Sequence, residues 1–101
     1  MLDKSKYGIM ALGEKLRDLR EKQGLLLREV AAYMEVDTAF VSKLEHNEKT
    51  ANKSHIKSLA KVYKVSEKEL LPYWLAEKVR KAISDEEYGK EALQIVLKEI
   101  E

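Results

Sequence analysis

The apolar residues of this chain fall at helical spacing. Ile9, Leu12, Leu16 and Leu19 follow a 3-4-3 pattern that lines one face of a first helix. Gly24 closes it as the residue after the cap, because glycine enters the left-handed region cheaply. A second helix is predicted from Leu27 to Met34, with Val30, Ala31 and Met34 inward. Asp37 is an N-cap residue, since its carboxylate accepts from the free N–H groups of the next turn. It opens a third short helix, Thr38 to Glu45, anchored by Val41 and Leu44. His46 to Thr50 reads as a loop in which Asn47 best tolerates positive φ. Ser54 is expected to cap a fourth helix with Ile56, Leu59, Ala60 and Tyr63 inside. Ser66 and Glu69 have the spacing of a capping box opening a fifth. Pro72 disfavours helical geometry at Leu71, so the chain is expected to bend there. Two further helices, 73–83 and 85–100, follow, with a second capping box from Ser84 and Glu87 between them.

The chain has 101 residues, 45% hydrophobic and 37% charged, the profile of one small domain with a densely charged surface. Four glycines and one proline suit an all-helical fold with short connections. Residues 1–8 are polar with little periodicity and read as a loose arm; Met10 is a second candidate start. No cysteine is present, which excludes thiolate metal sites, thiol nucleophiles and disulfides. His46 and His55 stand nine apart with no partner ligand spacing, so no metal site is expected. No Gly-rich phosphate loop or nucleophile elbow occurs, and no catalytic residue, cofactor or small-molecule ligand is assigned. Glu67, Glu69, Glu86 and Glu87 sit at helix starts, where they complement the macrodipole. No apolar run approaches the ~20 residues of a membrane span, so the expected location is cytoplasmic and nucleoid-associated.

Two short helices joined by a three-to-four-residue turn make a helix-turn-helix unit. Its demands are met locally: Ala31 permits close crossing, Val36 plugs the turn, and Val41 and Leu44 anchor the second helix. Thr38, Ala39, Ser42 and Lys43 then point outward, small or flexible enough to reach base edges in a major groove. Phe40, a lone aromatic in a short helix, is assigned to packing ahead of contact with a thymine methyl.

The segment from Gly24 to Asn47 resembles the XRE family, the phage repressor and Cro-like helix-turn-helix proteins. That resemblance covers roughly Gly13 to Leu71 and implies a five-helix domain that binds operator DNA as a dimer. It implies base contacts from Thr38, Ala39, Ser42 and Lys43, and an ion pair between Arg20 and Glu45 tying the first helix to the third. This chain departs from the family pattern at three places. Leu26 and Leu27 replace the usual polar cap and phosphate-clamping Gln; Arg28, next in line, is the expected phosphate contact. Glu35 replaces the turn glycine, at ~1 kcal/mol if the site needs the left-handed conformation. Asn47 replaces the glycine after the recognition helix. The stretch Asp37 to Glu45 also looks like that of the compact controllers of restriction-modification operons, with a phage-type repressor or an antitoxin as alternatives.

The near-neutral net charge of +1 hides an asymmetry. Residues 1–65 carry 13 basic and 9 acidic side chains, net +4; residues 66–101 carry 6 and 9, net −3. Lys49, Lys53, Lys57, Lys61 and Lys64 crowd a stretch without acids; Lys49 and Lys53 are the expected backbone contacts, while Lys61 and Lys64 are solvated. Around and beyond Pro72, the residues Leu71, Leu75, Val79 and Ala82 form a stripe with Trp74 beside it. Tyr88, Ala92, Leu93, Ile95, Val96, Leu97 and Ile100 make a band too wide for one buried face. Leu71, Trp74, Leu75 and Ile95 are therefore the expected homodimer interface. The chain divides into an arm (1–8), a helix-turn-helix domain (9–71) and a helical extension for packing and dimerisation (72–101). The expected function is sequence-specific transcriptional regulation by a homodimer on a palindromic operator in double-stranded DNA. The contrasting reading is a protein-interaction module that uses the same fold as scaffold, with the wide apolar band as its working surface.

Overall fold

A computed structural model describes residues 11–101; the predicted arm, Ile9 and Met10 lie outside the described residues. Among these, six α-helices and no strand occur: α1 (Leu12–Lys22), α2 (Leu27–Met34), α3 (Thr38–Glu45), α4 (Lys53–Val62), α5 (Glu67–Ile83) and α6 (Gly89–Ile100). The first three match the predicted faces. Leu16, Val30, Ala31, Met34, Val41 and Leu44 are buried together with Ile56, Leu59, Ala60, Tyr63 and Leu70 from α4, its cap and α5. Gly24 takes φ 67° after the cap of α1, and the N–H of Leu25 returns to the carbonyl of Arg20 at 3.0 Å.

Local signals misplace three boundaries and one capping partner. Asn52, not Ser54, caps α4: its Oδ1 accepts the His55 N–H at 2.8 Å, while His55 Nδ1 accepts the Asn52 N–H at 3.1 Å. The reciprocal bond from His55 decides between two suitable capping residues. Ser66 does cap α5, but through the Lys68 N–H at 3.1 Å, and Glu69 turns to Lys15 at 3.8 Å instead of closing the box. Pro72 does not end a helix. It removes one N–H near the start of α5, yet Leu70 and Trp74 are both buried, four residues apart on one face, and hold the helix continuous across it. Two predicted helices thus become one. Ser84 is the C-cap of α5, and α6 begins only at Gly89 after Tyr88, so the Ser84–Glu87 box does not form.

Trp74 belongs to the core rather than to a surface offered to a second subunit. It is 7% exposed, and its Nε1–H donates to the Ala51 carbonyl at 2.6 Å. Pattern alone places it beside the α5 stripe but does not say which apolar face of that helix turns inward. α6 has the opposite environment: every residue from Lys90 to Glu101 is exposed.

Candidate nucleic-acid interface

The turn between α2 and α3 is three residues, Glu35 to Asp37. Glu35 adopts φ 59°, ψ 43°, the left-handed conformation for which the family uses glycine. Its strain is held by two bonds at the end of α2, Glu35 N–H to Ala32 at 3.2 Å and Val36 N–H to Ala31 at 3.0 Å. Val36 is half-buried against the core beneath the turn. Asp37 Oδ1 accepts the Phe40 N–H at 2.9 Å and starts α3.

With Val41, Leu44 and Glu45 buried, the remaining arc of α3 is fixed by helical periodicity. Thr38, Ala39 and Lys43 lie on it exposed, and Ser42 half-buried among them, so the four predicted base-contact residues share one face. Phe40 is half-buried and packs its ring on His55, centroids 4.9 Å apart, joining α3 to the first turn of α4. Sequence reading missed His55; an Asn-x-x-His spacing at a helix start was the available signal.

The far end of α3 is held from two sides. Arg20 meets Glu45 through Nε–Oε2 at 2.7 Å and Nη2–Oε1 at 3.1 Å, and its Nη1 donates to the Leu25 carbonyl at 3.0 Å. Glu45 is buried and Arg20 nearly so, which makes the fork a determinant of α3 orientation. Hydrogen bonding to Glu45, opposed by burial, holds the Arg20 guanidinium above its ordinary range. Burial, followed by the nearby Glu45 charge, pushes the Tyr63 phenol up as well.

Asn47, at φ 61°, supplies the second hold. Its Oδ1 accepts the Gly13 N–H at 2.9 Å and its Nδ2 donates to Glu14. Ala11 cannot cap α1 with a side chain, so Asn47 does so from 34 residues away. Gly13 is obligatory for this approach: a Cβ there would stand 2.5 Å from the Glu45 carbonyl and 2.6 Å from Asn47 Oδ1.

Lys49 is exposed on the loop after α3, and Lys53 is exposed at the first position of α4. That loop is tied to α5 by the Trp74–Ala51 bond and by Lys81 Nζ donating to Thr50 Oγ1 at 2.7 Å. Arg28 is exposed in the first turn of α2. Leu26, half exposed at the N-cap, contributes no side-chain bond; its N–H is taken by Glu29 at 2.8 Å. Arg28 in the first turn of α2, Lys43 on α3, Lys49 on the loop after it and Lys53 at the start of α4 are all exposed. Leu71 is half-buried against the core, whereas Leu75 and Ile95 are exposed. Among the described residues no three or more His, Asp or Glu side chains form a metal-binding group, and no helix is long and apolar enough to cross a membrane.

A helix-turn-helix family model matches residues 16–70. The chain belongs to that helix-turn-helix family, of the XRE type. It is 32% identical over 62 residues to the HTH-type transcriptional regulator DdrOP3 of Deinococcus deserti, a match spanning 61% of this chain and 48% of that protein. The chain therefore covers about half the length of this relative. Among solved structures it is similar to the clp gene regulator ClgR of Corynebacterium glutamicum. One crystal structure gives a TM-score of 0.58 at 27% identity over 85% of each chain. Another gives 0.57 at 27% identity over 65% of this chain and 86% of that one. The family resemblance read from Gly24 to Asn47 and the all-α fold class agree with these matches.

Proposed function

We propose that this protein is a sequence-specific DNA-binding transcriptional regulator acting as a homodimer on a palindromic operator. The observation that carries the reading is α3: buried on one side, fixed at both ends by Asp37, the Arg20–Glu45 fork and Asn47, and exposed along Thr38, Ala39 and Lys43. Rigid presentation of a short polar face is what major-groove reading requires. Lys43 makes the main specific contact, to a guanine edge, assisted by Thr38, Ala39 and Ser42. Arg28, Lys49 and Lys53 contact phosphates and set register. Residues 9–71 form the DNA-binding unit and 72–101 the extension for packing and self-association. In a dimer the two α3 helices enter successive major grooves, half-sites about 34 Å apart.

Regulation of transcription is supported by family membership and by the names of DdrOP3 and ClgR. Control of a restriction-modification operon rests on the likeness of Asp37 to Glu45 to that group, and a cytoplasmic, nucleoid-associated location accords with the regulatory role. One feature favours a second reading as an interaction module: the long exposed apolar surface of α6. Fluorescence titration against genomic fragments at 50 and 200 mM salt, about the range over which phosphate contacts weaken steeply, separates the two. A regulator loses affinity steeply with salt and enriches one palindromic fragment on selection. An interaction module shows neither behaviour.

A further inference from the structure

α5 reaches the loop after α3 at two successive residues. Trp74 Nε1–H donates to the Ala51 carbonyl at 2.6 Å, and Lys81 Nζ donates to Thr50 Oγ1 at 2.7 Å. Trp74 and Lys81 are two helical turns apart, so they stand on one face of α5, about 10 Å from each other along its axis. The first contact is buried and fixes the helix against the loop. The second is at the surface, with Lys81 and Thr50 both exposed.

The loop itself folds back on α3. The Lys43 carbonyl accepts the Glu48 N–H at 2.8 Å and the Lys49 N–H at 3.3 Å. Thr50 follows directly, and α4 starts soon after at Lys53. The Lys81 ammonium is thus one hydrogen bond from the residue next to Lys49, on the stretch that joins Lys43 to Lys53. The acidic side chains of that stretch are Glu45, taken up by Arg20, and Glu48.

Lys81 has a carboxylate nearer to hand in sequence. Glu77 precedes it on α5 at i−4, the favourable order for a helical ion pair. The ammonium goes instead to the neutral hydroxyl of Thr50. That pair has donors to spare: an ammonium carries three N–H groups, and a threonine that accepts from it keeps its own O–H. Adjacent donors, one of them charged, suit an anionic oxygen.

We infer that Lys81 and Thr50 together form a further phosphate contact of the DNA interface, supplied jointly by the C-terminal extension and the α3–α4 loop. This rests on the DNA-binding reading above and extends it: the DNA-contacting unit does not end at residue 71. The net-acidic extension contributes a cation where it meets the basic half of the chain. One phosphate accepts from Lys81 Nζ and from the Thr50 hydroxyl, beside the contacts assigned to Lys49 and Lys53. Such a contact adds affinity and register without base preference.

The test is titration of a fluorescently labelled mixed-sequence duplex between about 50 and 200 mM salt. Wild type is compared with Lys81→Ala, Lys81→Arg, Thr50→Val and Lys61→Ala, all changes at exposed positions. Lys81→Ala should lower the slope of log affinity against log salt by about 0.9 for each chain bound, making the loss of affinity over that range about threefold smaller per chain. Lys81→Arg should keep the wild-type slope. Thr50→Val should weaken binding about two- to tenfold at each salt concentration and leave the slope alone. Lys61→Ala, the same change of net charge elsewhere on the surface, should match wild type. A wild-type slope in Lys81→Ala overturns the assignment and leaves the DNA-binding reading standing. So does an equal drop in Lys61→Ala, which would make the slope a measure of net charge alone, or in Thr50→Val, which would make Lys81 only a brace of the loop. A wild-type chain whose binding does not respond to salt removes the assignment and the DNA-binding reading together.

Discussion

The segment from α1 to the first half of α5 and the terminal helix α6 are built from the same kinds of residue and end in opposite environments. In the first, each apolar face meets another: Leu16, Val30, Val41, Ile56 and Leu70 are all but fully buried. In α6, Leu93, Val96, Leu97 and Ile100 repeat at equally good helical spacing and stay exposed. Periodicity therefore reports that a face wants covering, not what covers it. The first segment is finished by hydrogen bonds from distant residues, the Arg20–Glu45 fork and the Asn47 cap; among the described residues α6 makes no such long-range bond. One region is a frame for α3, and the other is an exposed apolar surface, which the proposed function uses for association.

The comparison breaks first at the fork. Arg20→Ala leaves Glu45 charged and buried, and should cost ~3–5 kcal/mol of stability by urea unfolding. Replacing both residues by apolar ones of similar size should restore much of that loss. A cost below about 1 kcal/mol for the single change would show that the fork is solvated and does not fix α3. Gly13→Ala forces the start of α1 away from the end of α3, and should cost about 1–3 kcal/mol in the same assay.

Smaller effects come from two strained features. Glu35→Gly relieves the left-handed turn and should raise stability by about 1 kcal/mol. Tyr63 has a buried hydroxyl with no hydrogen-bond partner among the described residues. Its folded pKa lies above the unfolded value of about 10. The folded state keeps the proton that the unfolded state releases, so stability is intact below about pH 10 and falls as pH rises beyond it. Tyr63→Phe should be neutral to stabilising near pH 7 and should lack that alkaline slope. An unchanged slope would show that the loss comes from other groups. The smallest effect belongs to α6. At concentrations where the chain is monomeric, Leu97→Glu should shift unfolding by no more than ~0.5 kcal/mol. At higher concentration it should weaken self-association at least tenfold.

The frame was largely legible in the sequence because its signals are local. Gly24, Asp37, and the inward sets of the second and third helices each act within a few residues. What escaped depends on partners far along the chain. Nothing near Ala11 announces that Asn47 caps α1. Nothing near Pro72 announces that burial of Leu70 and Trp74 overrides its bend. Asn52 and Ser54 are both good capping residues two positions apart, and only the return bond from His55 chooses between them. The face of α3 was legible because a buried Val41 and Leu44 leave Thr38, Ala39, Ser42 and Lys43 one direction to point. The placing of Trp74 was not, because α5 is apolar on two sides.

The claim that α3 is a base-reading helix rests most heavily on Lys43. The direct measurement is binding of wild type, Lys43→Ala and Arg28→Ala to a selected operator and to its single-position variants, across a salt series. Lys43→Ala should cost ~1–3 kcal/mol and erase the preference at one position of each half-site, whereas Arg28→Ala should weaken all sequences alike and lower the salt slope by about one. If Lys43→Ala weakened every sequence equally and left all base preferences intact, α3 would not be reading bases through Lys43 and the account would be contradicted.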